Sequence, residues 1–174
     1  MKKRIAIDMD GVIADVEASF MALHERDFGV RLSFDDIKGK SERENFPNVR
    51  QWVYTEGFFR NLTVMPESQR VVKALHERYE VYIVSAAVEF PQSLKEKIEW
   101  LNAHFPFISW QNMCFCGSKT IIHADIMIDD FFKNLDPFKG ELSILFTQAH
   151  NYEQDAGRHT RVHTWLDIEK LLLT

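Results

Sequence analysis

Ile5 to Asp15 reads IAIDMDGVIAD and sets two carboxylates, Asp8 and Asp10, two residues apart at the end of an apolar run. Ile5, Ala6 and Ile7 have the character of a short strand buried on both faces, the kind found in parallel sheets. Gly11 then permits a sharp turn that gathers backbone groups and acidic side chains into one small volume. Like charges packed that closely are costly unless a cation lies between them. A metal ion is the simplest such cation.

Outward from this stretch, further apolar runs recur as VYIVSAA (81–87), NMCFC (112–116), ADIMIDD (124–130) and LSILFT (142–147). Segments with helical spacing separate them, and strand alternating with helix implies a parallel α/β sheet. Pro66 opens MPESQRVVKALHERY, where Val71, Val72 and Leu75 share a face; Pro91 opens FPQSLKEKIEWLNAHF, where Leu94, Ile98 and Leu101 do the same. Proline suits a first helical turn. Ligands of such folds bind outside the carboxyl ends of the strands, and Asp10, Ser85, Asp129 and Asp130 all fall at predicted strand ends.

Between Asp15 and Met65 the alternation breaks off for about fifty residues, far more than a strand-to-helix connection needs. Residues 16–65 are therefore expected to form an inserted helical cap, and residues 1–15 and 66–174 the α/β core. The insertion holds Phe20, Phe28, Phe34, Phe46, Trp52, Tyr54, Phe58 and Phe59. Most are expected to pack the cap's own small core, with one or two lining a pocket for a flat substrate; Trp52 and Phe58 are the candidates. The polar run FDDIKGKSERE (34–44) reads as a solvated cap surface.

The chain has 174 residues, 45% of them hydrophobic, enough to bury a real core, and a formal net charge of −5. Its Lys and Arg are scattered rather than clustered, which argues against a nucleic-acid polymer as partner. Cys114 and Cys116 stand too close for an ordinary disulfide and lack a second pair for zinc, so they read as packing thiols in a reducing compartment. MKKRIAID carries no apolar segment of signal length, and no stretch approaches the roughly 20 apolar residues of a membrane span. A cytoplasmic location without membrane association is the expectation, and a homodimer is compatible with the sequence. His159 and His163 are separated by TRV rather than by an acidic helical motif, so a zinc pair is not expected there.

Asp8 with Asp10, then Ser85, then Lys119, then Asp129 with Asp130 form an ordered set suited to one task. A carboxylate can attack phosphorus, a second can protonate the leaving oxygen, a metal with a lysine can neutralise phosphate, and a hydroxyl can hold a phosphoryl oxygen. DMDGV, VYIVSAA, GSKT and IMIDD resemble the four motifs of the haloacid dehalogenase-like phosphohydrolases. DMDGVIAD, GFFRNLTVMP, SKTIIHADIMIDD, LFTQAHN and RVHTW more narrowly resemble the 5'(3')-deoxyribonucleotidases.

The resemblance implies a doubly wound, Rossmann-like parallel sheet with a small inserted helical cap. It also implies a Mg²⁺-dependent phosphomonoesterase passing through an aspartyl phosphate, acting on a small phosphate monoester such as a nucleoside monophosphate. By the same resemblance Asp8 is the nucleophile and Asp10 the general acid and base. Asp8, Asp130 and the Asp10 carbonyl hold the metal, Asp129 supports Lys119 or a metal-bound water, and Ser85, the Ala86 amide and Lys119 hold phosphate. The family's second motif ordinarily reads threonine, serine, proline, whereas this chain has Ser85, Ala86 and Ala87; Val16 and Phe131 likewise replace an aromatic and a basic residue. A phosphatase of sugar phosphates or other small monoesters, or a non-catalytic relative that binds phosphate ligands, stays open. A receiver-type signalling domain does not fit, because receivers place the acidic pair first and have no insertion.

Overall fold

The computed structural model describes residues 2–174. Six parallel strands form the central sheet: β1 (Arg4–Ile7), β4 (Glu80–Ser85), β5 (Met113–Phe115), β6 (Ile126–Asp129), β7 (Leu142–Phe146) and β8 (Thr160–Val162), in the order β5-β4-β1-β6-β7-β8. The run that opens the sequence is thus the sheet's centre. Ile5 pairs with Val81 on one side and Ile126 on the other, and Ile7 with Ile83 and Ile128. The strand's period of two divides the core. Ile5 and Ile7 join the larger apolar cluster, while Ala6 faces a smaller one with Val84, Met127, Leu135 and Leu145.

Helices cover both faces. The larger cluster takes in α5 (Ser68–Arg78) through Val71, Val72 and Leu75, α6 (Ser93–His104) through Trp100 and Leu101, and α8 (Trp165–Leu173) through Trp165 and Ile168. The short α7 (Phe132–Leu135) contributes Leu135 to the other. The doubly wound α/β expectation holds. Strand β8 was not among the apolar runs, because at TRV (160–162) it is three residues long and carries a charge.

The chain leaves the sheet through β2 (Ala14–Asp15) and returns through β3 (Thr63–Val64), which pair antiparallel. Between them lie α1 (Val16–Phe28), α2 (Phe34–Ile37), α3 (Glu42–Asn45), α4 (Val49–Val53) and a 3₁₀ turn at Phe59–Asn61. Asp15 caps α1 by accepting from the Ala18 amide at 2.9 Å. Phe20, Phe46 and Trp52 pack together with ring centroids 5.5–6.3 Å apart. No helix among the described residues is long and apolar enough to cross a membrane.

Candidate active site

The turn after β1 is built around Gly11. Its φ is +74°, in the left-handed region, and a Cβ there would stand 2.5 Å from Asp130 Oδ2. Glycine is required on both counts. The amides of Ile13 and Ala14 return to the Met9 carbonyl at 3.0 and 2.9 Å, Gln148 donates its side-chain amide to the Gly11 carbonyl, and Trp165 Nε1 donates to the Val12 carbonyl at 2.7 Å. The turn is held from three directions, and Asp8 and Asp10 are fixed with it.

Asp8 Oδ1 accepts from its neighbour's amide, Met9 N, at 2.7 Å and from Lys119 Nζ at 2.6 Å. Lys119 is buried between Asp8 and Asp129, with Asp129 Oδ2 also at 2.6 Å. Asp129 and Asp130 have different surroundings. Asp129 is fully engaged by Lys119, the Phe131 amide at 2.9 Å and Asn134 Nδ2. Asp130 keeps Oδ1 buried with no hydrogen-bond partner, and one oxygen of each of Asp8, Asp129 and Asp130 lies within 4.8 Å of the others.

Burial, only partly opposed by Lys119, raises the Asp8 carboxyl to about 7. Burial and the nearby Asp8 and Asp129 raise Asp130 well above the carboxylate range. Burial alone would lower Lys119, but the Asp8 and Asp129 carboxylates outweigh it and hold the ammonium protonated. Three buried carboxyls thus meet at one lysine, the donor atoms they offer are all oxygen, and one carboxylate oxygen is left without a partner. A hard divalent cation fits that donor set.

Sequence reasoning missed Lys97. Buried on α6, it forms an ion pair with Asp10 Oδ2, donates to Ser85 Oγ at 2.9 Å and stands 4.7 Å from the centroid of the Phe59 ring. The face predicted for this helix is displaced: Ile98 is 41% exposed, and the buried stripe is Ser93, Glu96, Lys97, Trp100 and Leu101. A lysine at the spacing of Trp100 and Leu101 was the available signal. Apolar spacing does not register such a lysine, and buried charges stay inside only when paired.

Asp8, Asp10, Ser85, Ala86, Lys97 and Lys119 all line one cleft of about 460 Å³, which Phe20, Tyr54, Phe58, Phe59 and Phe90 also border. Phe58 is half-buried and stacks on Phe20 at 5.5 Å. Trp52, the other aromatic candidate, is not among the cleft residues. Its ring is buried in the insertion's own core and its Nε1 donates to Asp27 Oδ2 at 2.8 Å, so the expectation of a substrate contact is corrected. Neither is all of FDDIKGKSERE a solvated surface. Ser41 and Glu44 cap α3 reciprocally, whereas Glu42 turns into the cleft. There burial, with Asp10 close by, raises its carboxyl to about 7.

His150 Nε2 donates to the Asp130 carbonyl, 3.0 Å away, and the ring stacks on Phe131; burial lowers its pKa. His159 is buried between Ser143 Oγ at 2.7 Å and Asp136 Oδ1 at 3.0 Å, a strut between β7 and the end of α7. Cys114 and Cys116 are free thiols.

Comparison with solved structures agrees with this architecture. A phosphoserine phosphohydrolase-like protein from Francisella tularensis superposes with a TM-score of 0.59 at 13% identity, over 98% of this chain and 99% of that one. A haloacid dehalogenase-like hydrolase from Streptococcus pneumoniae gives a TM-score of 0.54 at 12% identity, over 98% of each chain. Sequence relatives are much nearer: the 5'(3')-deoxyribonucleotidases of Bacillus subtilis and of Bacillus phage SPbeta are each 43% identical over 182 residues, covering 99% of this chain and 100% of theirs. The sequence model of the 5' nucleotidase, deoxy (pyrimidine), cytosolic type C proteins matches residues 2–174. With the ordered acidic motifs gathered at the carboxyl end of a parallel sheet, that match identifies the chain as a member of this nucleotidase family.

Proposed function

We propose that the protein dephosphorylates nucleoside monophosphates, as a 5'(3')-deoxyribonucleotidase, through an aspartyl phosphate on Asp8. The observation that carries this reading is the pairing, within one cleft, of Asp8 with Lys119 and of Asp10 with Lys97. Family membership makes the chain a phosphoric monoester hydrolase; the two lysine-held carboxylates supply a nucleophile and a separate acid and base.

A carboxylate oxygen of Asp8 attacks phosphorus and the bond to the ester oxygen breaks. Asp10, at the cleft wall, gives its proton to that leaving oxygen. In the second half Asp10 takes a proton from water, which attacks the phosphorus of the aspartyl phosphate and releases inorganic phosphate and Asp8. Ser85, the Ala86 amide and Lys119 hold the phosphoryl oxygens, and Lys97 keeps Asp10 turned toward the cleft. Mg²⁺, held by Asp8, Asp130 and the Asp10 carbonyl, would offset the negative charge shared by carboxylates and phosphate.

A phosphate-release screen over nucleoside monophosphates, sugar phosphates and p-nitrophenyl phosphate, with and without Mg²⁺, tests the reading. Turnover highest on nucleotides, dependent on Mg²⁺ and lost in Asp8→Asn is the expected result. Retained hydrolysis in that variant rejects the mechanism. Preference for sugar phosphates over every nucleotide rejects the substrate class and leaves the phosphatase chemistry standing.

A further inference from the structure

Glu42 is the one acidic residue of SERE (41–44) without a structural task. Ser41 donates its amide and hydroxyl to Glu44 at 2.8 and 2.6 Å, closing the helix cap. The segment is pinned where it stands, with Gly39 donating its amide to the Ala149 carbonyl at 2.8 Å and Asn45 its side-chain amide to the Ile37 carbonyl at 2.8 Å. Glu42 itself has no side-chain hydrogen bond or ion pair among the described residues. It borders the main cleft that Asp10 also lines, and a small hollow with Glu17, Lys40, Asp130, Gln148 and His150. The acidic groups near it are Asp10, Glu17 and Glu89 and a nearby cation is Lys133, while Lys40 borders the same hollow and Arg43 and Arg50 the same cleft.

Glu42 is half-buried, and a carboxyl that no protein group pairs in the wall of an anion site can take a hydrogen-bond donor from the occupant in place of water. The location narrows that donor. Glu42 shares the cleft with Asp10 and the neighbouring hollow with Asp130, while the rings of Tyr54, Phe58 and Phe90 border the same cleft. The part of a nucleotide nearest the phosphorus is the sugar, and the flat base suits the rings. A hydroxyl also pairs with a carboxyl in either protonation state, as donor to the carboxylate or acceptor from the acid, whereas a base amino group can only donate.

We propose that Glu42 is a specificity-determining residue that hydrogen-bonds a free sugar hydroxyl of the substrate, the 3'-hydroxyl when the ester is a 2'-deoxynucleoside 5'-monophosphate. The inference rests on the nucleotidase reading and adds to it the group by which the insertion recognises the sugar.

The test compares kcat/KM for a 2'-deoxynucleoside 5'-monophosphate and its 2',3'-dideoxy analogue in wild type, Glu42→Gln and Glu42→Ala, with p-nitrophenyl phosphate as a sugar-free reference and thermal unfolding as a check of the fold. A hydrogen bond to a charged group predicts that wild type favours the hydroxylated substrate by roughly tenfold to a hundredfold. In Glu42→Ala that ratio falls to near one, in Glu42→Gln it falls part of the way, and the loss on the nucleotide exceeds any loss on p-nitrophenyl phosphate by about tenfold or more. A wild type indifferent to the missing hydroxyl overturns the inference alone. So does an equal loss on both substrate types, which would assign Glu42 to the phosphoryl end itself. A wild type that hydrolyses p-nitrophenyl phosphate but no nucleotide overturns the nucleotidase reading, and the inference with it.

Discussion

Asp130 illustrates how a single side chain can be chemically poised and energetically costly. Its buried carboxyl has an oxygen with no partner, and its pKa in the fold lies well above the unfolded value, as does that of Asp8. In the metal-free protein both groups therefore bind protons more readily folded than unfolded, and their contribution to stability diminishes as pH rises above about 4, for Asp8 through about 7. Asp130→Asn removes the Asp130 part of that cost, so its Tm relative to wild type, measured without divalent cation, should rise between pH 5 and pH 8. Added Mg²⁺ should raise the Tm of wild type and not that of the variant. The sign would be reversed if Asp130 were stabilised as a carboxylate without metal. Lys97 makes the complementary case. Lys97→Met leaves Asp10 and Ser85 without their shared ammonium, and kcat should fall by on the order of 10² to 10⁴, the usual worth of a positioned acid and base, with Asp8-dependent phosphate release as the readout. Asp8, Asp10 and Asp130 were legible as candidates because strand ends and residue types announced them. Lys97 was not, because nothing local distinguishes a lysine that will be buried from one that will not.

Among the elements, α6 does most to join the insertion to the sheet. Gln92, just before it, donates to the Val53 carbonyl at 3.1 Å. Glu96, buried, accepts from the amides of Gly57, Phe59 and Arg60 at 2.6, 3.1 and 3.3 Å. Trp100 Nε1 donates to the Leu62 carbonyl at 2.7 Å. One face of one helix thus holds the segment that carries Phe58 and Phe59, while its neighbour Lys97 holds Asp10. Glu96→Ala should leave three amides unpaired and cost about 3 kcal/mol or more, lowering Tm by roughly 6–12 °C for a chain of this size. With Phe58 and Phe59 loosened, KM for a nucleotide should rise more than kcat falls; unchanged Tm in the variant would show that solvent replaces the carboxylate without loss. The helix itself was predictable from Pro91 and its apolar spacing. Its orientation was not, since Glu96 and Lys97 are buried by partners 37 and 12 residues away along the chain.

The proposed function divides chemistry from recognition across the molecule: the strand ends hold the phosphoryl group, and residues between β2 and β3 cover what is attached to it. We propose that residues 16–65 act as the cap that sets substrate choice. Phe58→Ala should raise KM for a nucleoside monophosphate by about tenfold to a hundredfold, the worth of a stacked base at ~1–3 kcal/mol, with a much smaller effect on p-nitrophenyl phosphate. Trp52→Ala should instead cost about 3–5 kcal/mol of stability, measured by denaturant unfolding, and leave the ratio of the two activities near that of wild type. Equal losses on both substrates in Phe58→Ala would make that ring packing alone. The parallel sheet, the inserted segment and the ordered acidic motifs were all present in local pattern, because strand burial, turn-forming glycine and carboxylate spacing act over a few residues. Which aromatic packs inward and which faces the cleft, which face of α6 is buried, and that Glu42 rather than Glu44 enters the site emerge only on folding. Each depends on partners brought from distant parts of the chain, and burial energy is a property of that shared environment and not of the residue.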